Sequence, residues 1–243
     1  MTLPGLAQRT ATLLVRFGPI AFAEFLALTL GVSAIQMLMA PEAFRADAMG
    51  GVSNSAIAIY ADPLHLLNEA VYAFVVGGLC LRIWWATSAE AGRDGNALRS
   101  QAVPLVLLNL LAGFVFLYAL YLSLFLAFLV AALSTTLVPV VLIERAGWAS
   151  LLRTLVQCGR QFWRLTVAWS VVLLLWIVLL LALRADPVAL QDADLGAIWQ
   201  AELPATIMSA AMTTIALCLS MAAYELMVDD EAGGPRNLMD VFR

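Results

Sequence analysis

Apolar residues fill this chain in blocks of about twenty, and short polar segments separate the blocks. No charged residue occurs between Arg99 and Glu144, between Arg164 and Arg184, or between Leu203 and Tyr224. A helix needs about 20 apolar residues to cross the hydrocarbon core of a bilayer, so these stretches predict membrane spans. The pattern places spans at about 11–39, 64–85, 102–121, 124–143, 165–183 and 204–226. Pro41 ends the first. The polar run after it, with Gly50, Gly51, Ser53 and Asn54, reads as a connector containing a short interfacial piece at Ala56–Tyr60. The Trp84–Trp85 pair that closes the second span suits the headgroup layer. Asp94-Gly95 marks a turn in the next connector.

The stretch from Ser100 to Ile143 is long enough for two spans or for one long tilted helix. Arginine placement decides between them, because short loops rich in Arg face the cytoplasm. Arg9 and Arg16, then Arg82, Arg93 and Arg99, then Arg145, Arg153, Arg160 and Arg164 form the basic clusters. The segment after Leu183 is acidic, with Asp186, Asp192, Asp194 and Glu202. All basic clusters share one side only if 102–143 is a hairpin. The expected fold class is therefore all-α: a polytopic membrane protein with six transmembrane helices, both termini cytoplasmic, and a tail at 228–243. The N-terminal apolar run is too long for a signal peptide and reads as a retained helix.

"GWASLLRTLVQCGRQFWR" has a different periodicity. On a helix, Arg153, Gln157, Arg160 and Arg164 follow at steps of four, three and four and form one polar stripe. Trp148, Leu151, Leu152, Leu155, Phe162 and Trp163 lie largely opposite. This predicts an amphipathic helix at 146–161, lying in the interface between the fourth and fifth spans, with its arginines against anionic lipid headgroups.

Composition agrees with a membrane chain: 63% of the 243 residues are hydrophobic and 12% are charged. Every basic residue other than the single histidine is arginine, as GC-rich coding would produce. The net charge of −4 leaves no basic groove for nucleic acid. Cys80, Cys158 and Cys218 are widely spaced and read as small core residues. There is no phosphate-binding glycine loop with its lysine, no HExxH and no GxSxG. The expectation is of no enzyme and no cofactor.

The run "VPVVLIERAGWASLLRTLVQCGRQFW" resembles the glycerophosphoryl diester phosphodiesterase membrane-domain family and its six-span relatives, through Pro139, Glu144, Gly147, Leu151, Phe162 and Trp163. The likeness covers the second half of the chain. It implies a six-span fold and, through the family's name, a lipid-handling role. It implies no hydrolysis, since the family's membrane part brings no catalytic residues to carry over. This chain departs from it at Arg145, Trp148, Arg153 and Gln157.

Ionisable groups inside a membrane span are candidate functional residues. Glu24 falls near mid-bilayer, where a carboxylate is protonated, paired or facing a polar cavity; Ser209, Thr213 and Asn109 are the partners considered. His65 and Glu69 share one helix face near the outer end of the second span, with Asp62 and Asn68 nearby. They read either as a weak metal-binding patch or, with Asp62 as N-cap and Pro63 at N1, as a satisfied helix end. Glu225 could pair with Arg16 or Arg164, and Glu144 ends the fourth span in the same way. The leading functional expectation is a non-enzymatic subunit or assembly factor of an inner-membrane complex, with a membrane-protein partner. The alternatives are a transporter using Glu24 and a lipid-handling protein.

Overall fold

The structure, a computed structural model, describes residues 1–48, 63–88, 96–183, 190 and 193–233. These residues are almost wholly helical, with no strand among them. In chain order the helices are α1 (Leu3–Met39), α2 (Pro41–Ala48), α3 (Pro63–Thr87), α4 (Ala97–Ser100), α5 (Ala102–Leu122), α6 (Leu124–Ser134), α7 (Leu137–Ile143), a single 3-10 turn (Gly147–Ala149), α8 (Ser150–Arg160), α9 (Phe162–Leu183) and α10 (Leu195–Gly233). Six spans result, with α6 and α7 together forming the fourth, Leu124–Ile143. The protein is a multi-pass, all-α membrane protein.

The hairpin expected within 102–143 is present, and it turns on one residue. Ser123 adopts an extended conformation, and its hydroxyl accepts hydrogen bonds from the amides of Phe125 and Leu126 at 3.1 and 3.3 Å. It thereby caps α6 where α5 stops.

Two long helices frame the bundle. α1 has 37 residues and α10 has 39. At about 1.5 Å per residue each exceeds 50 Å, well beyond a ~30 Å hydrocarbon core. They pack along one another, and their ends are tied together. The Met1 ammonium meets Asp230, and Arg9 donates to Glu225 at 2.6 Å. Thr87, at the end of α3, donates to the same Glu225 at 2.5 Å. The start of α1 and the ends of α3 and α10 therefore share one face of the bundle. Small residues allow the close approach: Ala21, Ala132, Ala210, Ala222 and Ala223 are buried in the main core with Leu13, Phe25, Ile83, Leu165 and Met221.

Three boundaries differ from the sequence reading. α1 begins at Leu3 and not near Ala11, because Thr2 caps it, accepting from the Gly5 amide at 3.2 Å. Residues 228–233, expected in a tail, continue α10, held beside α1 through Asp230. Past Pro41 the chain forms α2, whose Phe44 is buried against Leu190 and Ile198. Ala56–Tyr60, Asp62 and the Asp94-Gly95 turn lie outside the described residues.

The corner between α7 and α8 requires left-handed backbone twice, at Arg145 (φ 52°) and Gly147 (φ 55°). A Cβ added at Gly147 would meet no clash, since its nearest neighbour, the Gln101 side chain, would be 3.9 Å away. The cost of Gly147→Ala is therefore conformational, about 1 kcal/mol. We expect the apparent unfolding temperature in detergent to fall by a few degrees; an unchanged value would show that this corner relaxes freely.

Candidate functional site: a cavity between five spans

A half-open cavity of about 340 Å³ lies between the second to sixth spans, at the small end of ligand-pocket sizes. α3 contributes Glu69, Tyr72 and Val76. With His65 one turn earlier, these residues step by four, three and four and occupy one stripe. α5 contributes Asn109, Ala112, Gly113 and Phe116, and α9 contributes Trp169, Val172, Leu173 and Trp176. Met212, Thr213, Ala216, Leu217 and Ser220 of α10 close one wall. The floor is the break between α6 and α7, with Ser134, Thr135 and Val138.

That break follows from Pro139. Proline has no amide hydrogen, so the carbonyl four residues earlier, on Thr135, loses its helical partner. An orphan carbonyl in a membrane must be satisfied by another group. Ser220 of α10 supplies it, donating to the Thr135 carbonyl at 2.5 Å. The Thr135 hydroxyl accepts from the Trp169 indole at 2.6 Å and reaches back to the carbonyls of Ala131 and Ala132, each at 2.9 Å. Three spans thus meet at one residue. Higher in the cavity, the hydroxyls of Tyr72 and Thr213 are hydrogen-bonded, and the Tyr72 ring stacks on Phe25 at 5.8 Å between centroids. The Trp176 indole nitrogen is buried and has no hydrogen-bond partner among the described residues.

Among the described residues, Glu69 is the only side chain in the lining that is charged when ionised, and no Lys, Arg or His lines it. It lies six residues into α3, about 9 Å along the axis. His65 is close enough to act on it electrostatically, as their shared face predicts. No three His, Cys, Asp or Glu side chains gather into a metal-binding group among the described residues.

Glu24 does not reach this cavity. It forms an ion pair with Arg82 of α3 on the outer surface of the bundle, where the side chains are 35% and 60% exposed. The partners considered from sequence, Ser209, Thr213 and Asn109, lie elsewhere. The side chain of Arg82, five residues before the end of α3, reaches a carboxylate in the middle of α1.

Glu225 is almost fully buried and pairs with Arg9 and Thr87, not with Arg16 or Arg164. Glu144 forms an ion pair with Arg153 and accepts from the Gln157 amide at 3.3 Å. Gln157 therefore leaves the polar stripe assigned to it. It is buried with Ser150, Thr154 and Cys158 on the face that α8 turns to the bundle. Leu152 and Val156 face outward, beside exposed Trp148 and Trp163. α8 thus has three faces: a small polar one packed on protein, an apolar one facing outward, and an edge with Arg160. Arg164, in the first turn of α9, is exposed and bonds Gln161 at 2.6 Å. Burial pushes the Cys158 thiol up, and hydrogen bonding with Thr136, at 3.4 Å, partly offsets this.

The aromatic and hydroxyl walls of the cavity were not singled out from the sequence. The usable signal was Thr135-Thr136 ahead of Pro139 in an otherwise uniform span. Compared with known protein families, curated proteins and solved structures, the chain matches none.

Proposed function

We propose that this protein binds a small molecule within the membrane, in the cavity between its second to sixth spans, as a permease-like carrier would. The observation that carries this reading is the cavity itself, with one acidic side chain, aromatic walls and a broken helix at its floor. Discontinuous helices at mid-membrane recur where transported substrates are held. The acidic group in this reading is Glu69, which replaces Glu24 as the residue of interest. Cysteine substitution tests it. Thr213→Cys should react with a small, membrane-impermeant cationic thiol reagent and Leu165→Cys, at a fully buried position, should not. The native cysteines are all buried. Failure of Thr213→Cys to react, under conditions that modify Asn96→Cys, would sink the reading.

The Glu24–Arg82 pair favours a second reading, a subunit or assembly factor with a membrane-protein partner. Charges facing lipid at mid-span are costly, and a neighbouring helix would cover them. Native mass spectrometry of gently solubilised membranes tests it. A stoichiometric partner released by the Glu24→Leu/Arg82→Leu double variant supports this reading, and an unaccompanied chain in both forms refutes it.

Arginine-only basic usage and arginine placement support a bacterial inner membrane with both termini cytoplasmic. Arg160, Arg164 and exposed Trp163 then meet anionic headgroups. Cysteines at Asn96 and Gly159, both exposed, should be labelled from the cytoplasm and one at Asp194 from the far side. Labelling of Asn96 and Gly159 from opposite sides would refute the orientation.

A further inference from the structure

The chemistry of the cavity wall is one-sided in charge. Among the described residues Glu69 is its sole acidic group, and no basic side chain lines it. The basic group acting on Glu69 is His65, one turn away and outside the lining. Four aromatic side chains, Tyr72, Phe116, Trp169 and Trp176, stand around the same space. The other polar groups are neutral: Asn109 and the hydroxyls of Tyr72, Ser134, Thr135, Thr213 and Ser220. An anion would meet a carboxylate and no cation to balance it. A divalent inorganic cation would have its charge only half balanced by the single carboxylate and would face aromatic rings in place of water over the rest of the lining. A cation with an apolar body matches both features, because its charge is balanced by the carboxylate and its surface rests on aromatic faces.

We infer that the cavity takes a small organic monocation, an amine or quaternary ammonium carrying an apolar group, with Glu69 as its counter-ion and the tryptophans as its walls. This rests on the reading of the cavity as a small-molecule site and names the class of its ligand. Trp169 and Trp176 make the test direct, since an occupant changes their fluorescence.

The full chain, purified in nanodiscs, would be titrated with benzyltrimethylammonium, with benzyl alcohol and with phenylacetate, and followed by tryptophan fluorescence and calorimetry. The three probes share a ring and differ in charge. The cation is expected to bind saturably, at least about tenfold more tightly than either other probe, the ratio that corresponds to about 1.4 kcal/mol. Glu69→Gln should remove that preference while leaving benzyl alcohol binding and the gel-filtration profile unchanged. The wild-type comparison decides the matter even if the variant fails to fold. Equal binding of benzyl alcohol and the cation overturns the ligand class and leaves the cavity reading standing. Tighter binding of phenylacetate overturns the assignment of Glu69 as counter-ion. No saturable binding of any probe, together with an unreactive Thr213→Cys, overturns both.

Discussion

Exchanging the charges at positions 24 and 82 together is expected to restore what either exchange alone removes. Glu24→Arg places two guanidinium groups side by side on the outer surface of the bundle, and Arg82→Glu does the same with two carboxylates. At position 24, in the middle of α1, a stranded charge costs about 2.5–3.5 kcal/mol on insertion scales, and at both positions like charges in contact add repulsion. Each single variant should therefore lose most of its membrane abundance and unfold at lower temperature in mild detergent. The double variant Glu24→Arg/Arg82→Glu rebuilds the pair in reverse and should return close to wild type. Glu24→Gln should be milder than Glu24→Arg, because the freed Arg82 can swing back towards the end of α3, about 7–8 Å away along the axis. If the double variant is no better than the worse single one, the pair contributes nothing as a pair.

Gly77→Leu is the second large effect. A Cβ at this position would sit 2.9 Å from Leu142, 3.0 Å from Leu98 and 3.1 Å from Leu105. α3, α4, α5 and α7 converge on that point, so one glycine sets the spacing of the second, third and fourth spans. Alanine there displaces only the ends of flexible leucines and should cost little. Leucine has nowhere to go, and overpacking of this kind costs about 1–3 kcal/mol or more. We expect Gly77→Leu to lower thermal stability sharply, with Gly78→Leu, whose Cβ meets nothing within 4 Å, as the neutral control. Equal stability of the two variants would show that the three spans can separate at no cost.

Both predictions depend on contacts that composition does not reveal, and the limits of the sequence reading follow the same line. The separate apolar spans and an amphipathic helix before Phe162 were legible because each is a property of one segment, whereas the hairpin within 102–143 was legible only from the arginine placement of all the loops, and its turn at Ser123 only from the structure. Length, apolar run and 3.6-residue period need no knowledge of neighbours. The shared face of His65 and Glu69 was legible for the same reason. The polar face of α8 misled because Gln157 and Arg153 occupy the same stripe in projection. Only the packed structure separates a glutamine buried beside Glu144 from an arginine half in the open.

Partner choice between different helices was beyond a sequence reading. Glu24 meets Arg82, Glu225 meets Arg9 and Thr87, and Thr135 receives Ser220, across separations of 58, 216, 138 and 85 residues. Such pairings depend on the tilt and axial register of helices that are each apolar all round. In a uniformly apolar span no amphipathic pattern states which side faces lipid. The sequence by itself determined the apolar segments that cross and, through arginine placement, that they number six. The tertiary structure alone decided which polar groups meet and that a cavity remains between five spans, because voids and ion pairs are properties of several surfaces brought together.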